Sequence, residues 1–292
     1  MVVIVNPRAG GHGAPENLAA TLKKAGLDAE VRSPQGDDQF SRLARAAVEQ
    51  GATTVVAAGG DGTVSAVAGP LVGSESTLGV LPLGTLNHFA RDARIPHSLE
   101  EAISVLADGE QRQVDCGEVN DRIFVNNSSL GLYPAVVRRR KEQQRLGKSK
   151  AQAFAWAALS VFRRHPNLGL RIEADGGTVE RRTPLLFVGN NRYDLEGLRI
   201  GHRERLDAGR LCLFLAQASG RLGLLRLALS ALLGRATGAA GLDVLELEHV
   251  TITAHRKMLE IATDGEVASM QTPLRYRVRP GALRLLVPRH SR

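Results

Sequence analysis

A five-residue stretch, Gly-Gly-Asp-Gly-Thr at positions 59–63, has the composition of a phosphate-binding turn. It follows the apolar run TTVVAA and precedes a segment that is predicted to be helical from about Thr63. Glycines at the carboxyl end of a buried strand let backbone N–H groups approach a phosphate closely, and a helix N-terminus favours an anion. Asp61 could hold Mg²⁺, which prefers oxygen ligands. A simple β-turn with Asp61 and Gly62 as turn residues is the structural alternative.

Two other predicted strands end in turns of the same kind. Asn6 opens the turn NPRAGG after the first strand, and Gly84, Thr85 and Asn87 lie in PLGTLNHFARD after the fourth. Each of these turns could also serve only to connect a strand to a helix. Because the carboxyl ends of parallel strands meet at one edge of a sheet, we expect the three turns to converge on one anion-binding site.

A fourth stretch, IATDGEVAS near the C-terminus, carries two carboxylates in one turn. Asp264 and Glu266 flank Gly265 after a predicted strand. Asp-Gly is a common hairpin signal, so the turn has a structural explanation. It has a functional one as well if it faces the nucleotide edge across an interdomain cleft, because a carboxylate there could take a proton from an attacking hydroxyl. The sequence leaves both open.

The distribution of strands and helices predicts two domains. In residues 1–112, short apolar strands alternate with helical segments, which is typical of a parallel sheet covered on both faces. In residues 113–292, short β-rich runs are bounded by Gly, Asn and Pro. We therefore expect an α/β domain that binds a nucleotide and a second, β-rich domain, with the extreme C-terminus able to pack back on the first.

The composition narrows the class of partner. The 292 residues carry a formal net charge of +8, which favours an anionic partner. Aromatic residues make up 4%, which leaves few side chains for stacking on single-stranded nucleic acid, and we find no nucleic-acid-binding motif, so a nucleic acid is the least favoured anionic partner. Two distant cysteines are compatible with reduced thiols. Since neither a signal peptide nor an apolar stretch of about 18 residues is apparent, we expect a cytoplasmic protein.

Two insertions in the β-rich region are suited to a membrane surface. Residues 136–150 contain seven basic residues and one acid, and residues 220–235 are mostly Leu and Ala with three arginines. The first could attract an anionic bilayer and the second could lie in the membrane plane. A solvated helix face and a buried helix are the respective alternatives. These segments predict peripheral association with an anionic membrane.

The order and spacing of five blocks resemble the diacylglycerol kinase catalytic-domain family, with sphingosine and ceramide kinases as relatives. The blocks are NPRAG, GGDGT, PLGTLNHFARD, VDCGEVNDRIFVNNSSLG and DGEV, and they extend over nearly the whole chain. The resemblance implies a nucleotide-binding α/β domain, a β-sandwich domain, and ATP meeting a lipid alcohol in the cleft between them. It implies further that Mg²⁺ assists the reaction.

The resemblance also implies roles for individual residues. Asp264 or Glu266 would be the general base, and Asp61 would hold the metal and so belong to the catalytic set. The nucleotide would be bound by a group of small and polar residues, namely Asn6, Arg8, Gly59, Gly60, Asp61, Gly62, Thr63, Gly84, Thr85 and Asn87.

Two departures from the family pattern affect the acidic residues around the metal. His88 stands where such kinases usually have a second acid after the Gly-Thr-x-Asn motif. Ala208 stands where a carboxylate is expected to hold a structural Mg²⁺, so Asp207 is the remaining candidate ligand there. A histidine cannot supply the anionic oxygen that Mg²⁺ prefers.

We therefore predict an ATP-dependent kinase of a diacylglycerol-like or sphingoid lipid. A kinase of a soluble acceptor, similar to NAD kinases, is the first alternative, because these also carry a GGDGT turn before a β-rich domain. A non-catalytic relative that binds nucleotide or lipid is the second, motivated by His88 and Ala208. A homodimer is retained as a candidate assembly.

Overall fold

The chain forms two compact units in a computed structural model. The structure describes residues 1–9, 17–36, 39–135, 137–138, 167–174, 176–196, 199–216 and 242–289. Unit 1 consists of residues 1–116, 205–209 and 279–292, and unit 2 of residues 117–204 and 210–278. The basic and Leu-rich insertions singled out in the sequence lie almost entirely outside the described residues.

Unit 1 alternates strands and helices, as the sequence pattern predicts. Its strands are β1 (Val2–Val5), β2 (Glu30–Arg32), β3 (Thr54–Gly59), β4 (Thr77–Pro82) and the first part of β5 (Glu110–Val119). Its helices are α1 (Leu18–Lys24), α2 (Gln39–Glu49), α3 (Asp61–Leu71), α4 (His88–Asp92) and α5 (Leu99–Asp108). The end of β18 (Leu274–Val287) completes it.

The sheet of unit 1 is parallel and has the order β2-β1-β3-β4-β18. Its central strands are apolar on both faces, and every residue of β1 and of β4 is buried. Because β2 lies on one side of β1 and β3 on the other, the strand order reverses between β1 and β3. Ligands of open α/β sheets bind outside the carboxyl ends of the strands at such a reversal.

Unit 2 is built from antiparallel strands. The strands of this unit that follow β5 are β6 (Arg122–Phe124), β7 (Asn127–Gly131), β8 (Leu168–Ala174), β9 (Gly177–Thr183), β10 (Leu185–Asn190), β11 (Asp194–Glu196), β12 (Arg199–His202), β13 (Leu211–Ala216), β14 (Leu242–Leu247), β15 (His249–Ala254), β16 (Met258–Thr263) and β17 (Glu266–Gln271). A six-stranded sheet has the order β14-β13-β10-β7-β16-β17, and a second layer joins β15 to β18 and to β8, which pairs with β9. Two short hairpins pair β5 with β6 and β11 with β12.

The two layers of unit 2 share one apolar core. Leu130, Leu186 and Ile261 from the six-stranded sheet pack with Ile252 and Tyr276 from the other layer. Alternating inward residues of this kind bury one face of each sheet, which is the arrangement of a β-sandwich. The predicted fold class, a parallel-sheet α/β domain followed by a β-sandwich, is confirmed.

No helix within the described ranges has the length and apolar character required to cross a membrane.

Candidate functional site

The turns after β1 and β3 are joined by a hydrogen bond. Asn6 Nδ2 donates to Oγ1 of Thr63 over 3.1 Å, and the Asn6 backbone N–H donates to the Ala58 carbonyl at 2.9 Å. Asn6 Oδ1 in turn accepts the N–H of Arg8 at 3.0 Å. The side chains of Asn6 and Thr63 therefore bridge the two strand ends at the point where the strand order reverses.

The glycine turns after β3 and β4 pack backbone against backbone. Leu83 N–H donates to the Gly59 carbonyl at 3.0 Å, and a Cβ on Gly84 would lie only 2.4 Å from the Cα of Gly60. A Cβ on Gly59 would lie 2.4 Å from Oγ1 of Thr63. Real Cβ atoms do not tolerate such contacts, so both turns require glycine at these positions.

Asp61 connects the turn after β3 to helix α4. Its Oδ2 accepts the N–H of His88 at 3.1 Å, and its Oδ1 accepts the N–H of Phe89 at 3.0 Å. These bonds satisfy donors at the start of α4, as a capping side chain would. Each carboxylate oxygen retains a second acceptor position, and Mg²⁺ is usually bound by one or two carboxylates together with substrate phosphates and water. Asp61 therefore fits as a single protein ligand of a nucleotide-bound Mg²⁺.

Asn87 shapes the turn after β4 from within. It is buried and adopts a left-handed conformation, with φ at 47°. Its Oδ1 accepts the Gly84 N–H at 2.9 Å, and its Nδ2 donates to the carbonyls of Pro82 and Gly84. Thr85, at the tip of this turn, is exposed. The side-chain amide of Asn87 is thus used to hold the turn, and its Nδ2 already donates to two backbone carbonyls.

A cavity of about 410 Å³ lies beside Asn6 in unit 1. Its walls are formed by residues of the turns after β1 and β2 and by one residue of α2, namely Asn6, Pro7, Arg8, Ser33, Pro34, Gln35, Gly36 and Phe40. The residues that follow β2 were not among the predicted site residues. The signal that could have found them is a fourth polar turn, Ser-Pro-Gln-Gly, directly after the strand EVR.

In unit 2, the carboxylate of Asp264 binds three consecutive backbone N–H groups. Its Oδ2 accepts from Val125 at 2.8 Å, and its Oδ1 accepts from Asn126 at 2.8 Å and from Asn127 at 2.9 Å. Asp264 is 9% exposed and adopts a left-handed conformation with φ at 48°. Its carboxylate therefore fixes the segment between β6 and β7.

Glu266, two residues later, is placed differently. Its side chain is 50% exposed, and its Oε2 accepts from Arg122 at 2.9 Å. Its other oxygen, Oε1, has no hydrogen-bond partner among the residues that the structure describes. Of the two predicted bases, Glu266 is thus the one whose carboxylate is exposed to solvent.

The predicted metal ligand Asp207 is poorly placed to hold a cation. It is exposed, and its Oδ1 accepts from Nε of Arg205 at 3.0 Å. The segment that contains Asp207 is held by Asp115, a buried residue whose carboxylate accepts the N–H of Gly209 at 2.7 Å. The same carboxylate accepts the N–H of Gly281 in β18 at 2.9 Å. Within the described ranges, no cluster of three or more His, Cys, Asp or Glu side chains could hold a metal. We therefore assign no step to a metal at Asp207.

Comparisons with known proteins identify the family. Residues 1–119 match the model of the diacylglycerol kinase catalytic domain, and residues 129–287 match that of the YegS C-terminal NAD kinase beta sandwich-like domain. A Pseudomonas aeruginosa protein named "Probable lipid kinase YegS-like" is 30% identical over 100% of this chain and 95% of its own length. The chain belongs to the YegS-like lipid kinase family.

Other relatives agree with this assignment. A YegS-like relative from Pseudomonas fluorescens is 31% identical over 92% of this chain and 89% of its own length. A diacylglycerol kinase from Staphylococcus aureus is 28% identical over 74% of this chain and 70% of its own length. The crystal structure of a diacylglycerol kinase from Bacillus anthracis has the same fold, with a TM-score of 0.71 at 19% identity over 98% of this chain and 96% of that one.

Membership in the YegS-like family confirms two predictions. The resemblance inferred from the five sequence blocks is correct, and the protein is a phosphotransferase that uses an alcohol group as acceptor. At the level of the family, the predicted activity is therefore that of a lipid kinase.

Proposed function

We propose that the protein transfers the γ-phosphoryl group of ATP to the hydroxyl of a diacylglycerol-like or sphingoid lipid. Nucleotide binding by unit 1 is supported above all by the Asn6–Thr63 hydrogen bond. This bond joins the turns after β1 and β3, at the position where open α/β sheets bind their ligands. Family membership supports the lipid as acceptor.

Unit 1 supplies the donors for the triphosphate. The first N–H groups of α3, from Asp61 to Thr63, have no partner within their helix and carry the positive end of its dipole. Gly59 and Gly60 bring these groups close to the phosphates because they have no side chain. The cavity beside Asn6 and Arg8 is suited to the nucleoside part. Gly84 packs against Gly60 and Thr85 is exposed beside it, so the turn after β4 is proposed to border the phosphates.

Asp61 is proposed to bind the metal. When bound, Mg²⁺ would neutralise charge on the phosphate oxygens. The His88 departure affects this role little, because Asp61 binds the backbone N–H of His88 and the His88 ring lies 3.0 Å from the guanidinium of Arg91. Asp61 keeps its position whichever side chain residue 88 carries.

Glu266 is proposed as the general base, with Asp264 holding the turn in shape. The hydroxyl proton of the lipid moves to Glu266 as the lipid oxygen forms a bond to the γ-phosphorus. The bond between that phosphorus and the bridging oxygen to the β-phosphate breaks, and ADP leaves. Proton removal by a positioned carboxylate typically contributes about 10²–10⁴-fold to such a reaction.

We also propose that the protein acts in the cytoplasm at the surface of anionic membranes. Its net charge of +8 supports the attraction, since each basic residue near such a surface contributes about 1 kcal/mol. Sedimentation with anionic vesicles should decrease as the salt concentration rises. Equal sedimentation with neutral and anionic vesicles would contradict this part of the proposal.

The test of the function is incubation with γ-labelled ATP, Mg²⁺ and a panel of lipid alcohols in mixed micelles, with NAD⁺ as a soluble acceptor in parallel. We expect label in a phospholipid product and none in NADP⁺. Label in NADP⁺ alone would support the soluble-acceptor alternative, and tight ATP binding with no product on any acceptor would support the non-catalytic one.

A further inference from the structure

Arg203 is a fully buried cation in unit 2, at 0% exposure. Its Nη1 donates to the carbonyls of Val125 at 2.8 Å and Asn190 at 3.0 Å, and its Nη2 donates to Oδ1 of Asn126 at 2.8 Å. The guanidinium also lies 5.2 Å from the ring centroid of Tyr193. Taking a charge out of water costs free energy that these hydrogen bonds offset. A neutral side chain of similar size could fill the same space without that cost, so packing alone does not explain an arginine at this position.

The backbone that Arg203 holds is the one that Asp264 holds from the other side. The peptide group between Val125 and Asn126 receives Arg203 at its carbonyl and gives its N–H to Asp264 Oδ1. In the next peptide group, the Asn126 carbonyl accepts the Tyr193 hydroxyl at 2.9 Å and the Asn127 N–H is bound by the same carboxylate. The first of these peptide groups therefore connects the buried cation to the buried anion, and the second connects the Tyr193 hydroxyl to the same carboxylate.

We propose that Arg203 is a positioning residue that acts through Asp264 on the acidic turn, and so on Glu266. The proposal rests on the function proposed above. Polarised peptide groups strengthen hydrogen bonds at both ends, so a cation at the carbonyls increases the hold of the N–H groups on the carboxylate. Asp264 and Gly265 both have positive φ, at 48° and 81°, as a two-residue hairpin turn between β16 and β17 requires, and this turn sets the direction in which Glu266 leaves it.

The first test separates turnover from nucleotide binding. Arg203→Met should lower kcat by about 10²-fold, the cost of misplacing a catalytic group by about 1 Å, while KM for ATP changes little because unit 1 supplies the nucleotide site. Arg192→Met is the matched control, since Arg192 lies in the same unit, is 70% exposed and pairs with Glu246. It should behave as wild type. An equal loss of kcat in both variants, or a change confined to KM, would overturn the proposal.

A double-mutant cycle tests whether Arg203 acts through Asp264. If it does, Arg203→Met combined with Asp264→Asn should be no slower than Asp264→Asn alone. Losses that multiply would show that Arg203 acts by another route. Should Arg203→Met fail to fold, Tyr193→Phe carries the test, because it removes only the hydroxyl at the Asn126 carbonyl and should lower kcat in the same direction with a smaller magnitude.

Hydrogen exchange gives a readout that needs no lipid kinase activity. In Tyr193→Phe, and in Arg203→Met where it folds, the amides of residues 125–127 should exchange at least about tenfold faster than in wild type, with unit 1 unchanged. Unchanged exchange at these amides would overturn the positioning role. Faster exchange with no phosphorylation of any lipid by the wild-type protein would retain the coupling of Arg203 to Asp264 and reject the proposed reaction instead.

Discussion

Gly60 and Gly84 approach each other so closely that a side chain on Gly84 has no room. A Cβ on Gly84 would lie 2.4 Å from the Cα of Gly60 and 2.5 Å from Oδ1 of Asn87. Both obstacles are held in place, the first by the backbone and the second by its hydrogen bond to Gly84 N–H. The contact fixes the turn after β4 against the turn after β3.

We expect Gly84→Ala to weaken ATP binding by about tenfold or more. The added methyl group must displace the backbone of Gly60, which moves the N–H groups at the start of α3, and a loss of about 1.4 kcal/mol is a factor of ten in affinity. Calorimetric titration with a non-hydrolysable ATP analogue measures the effect. Gly69→Ala is the control, since Gly69 lies in α3 and a Cβ added there would meet no atom within 4 Å, and it should bind as wild type. Equal affinities for all three proteins would show that this contact does not shape the nucleotide site.

Asp61→Asn should impair transfer far more than stability. The amide keeps one acceptor oxygen for α4, so we expect a stability loss of about 1 kcal/mol, but it lacks the charge that binds Mg²⁺ and should lower the rate by about 10²–10³-fold. Initial rates at varied Mg²⁺ and thermal melts measure the two effects. Asp108→Asn, at an exposed position at the end of α5, should change neither. A variant at position 61 with the wild-type rate at every Mg²⁺ concentration would remove the metal role.

Glu266→Gln and Asp264→Asn should both lose turnover, because Asp264 positions Glu266, but they should differ in stability. Glu266→Gln should lower kcat by about 10²–10⁴-fold with a stability change within about 0.5 kcal/mol, because the side chain is half exposed. Asp264→Asn places an NH₂ group against at least one backbone N–H and should cost about 1–3 kcal/mol in stability. Glu173→Gln, which also loses an exposed pair with arginine, is the control for the first variant. If instead Asp264→Asn stopped turnover with unchanged stability while Glu266→Gln stayed active, Asp264 would be the base.

The protein should lose stability at alkaline pH partly through Cys212. Burial raises the pKa of its thiol to about 12, and the carboxylate of Glu246 contributes to the increase. In the unfolded chain the pKa of a cysteine thiol is about 8.5. As the pH rises, the unfolded state therefore releases this proton before the folded state does. The contribution of the buried thiol to the free energy of unfolding is fully present below about pH 8.5 and is lost as the pH rises towards 12, by up to about 1.4 kcal/mol per pH unit. Urea unfolding of the wild type and Cys212→Ala at several pH values measures it. The difference between the two proteins should be constant below about pH 8 and shrink above about pH 9, and a constant difference throughout would contradict the assignment.

The regular part of the fold was predictable because periodicity and burial agree there. The apolar run VVIV forms β1 and the run TLGVLP forms β4, and every residue of both strands is buried. Ser98 precedes α5 and accepts the N–H of Glu101, so the start of that helix was also encoded locally. The glycine turns stood out because few other residues fit where two backbones meet.

The long-range polar contacts within each unit were not predictable, because the residues that make them are far apart in sequence. Arg203 holds Val125 at a separation of 78 residues, and Asp264 holds the same residue at 139. Asp115 binds Gly281 across 166 residues, which the motif VDCG alone does not indicate. For the same reason, the order of Asp264 and Glu266 in the turn does not indicate that the first carboxylate binds three backbone N–H groups while the second pairs with Arg122.

The strand β18 has a consequence for biosynthesis. Its end pairs with β4 through Arg284 and Leu285, and Arg284 donates to the Glu75 carbonyl, 209 residues earlier in the chain. When only β1 to β4 have been synthesised, the sheet is incomplete, and β4, an inner strand of the finished sheet, is an exposed edge strand. The sheet of unit 1 can be completed only after the last strand has emerged from the ribosome. A fragment that stops at residue 116 should therefore aggregate more readily than the whole chain.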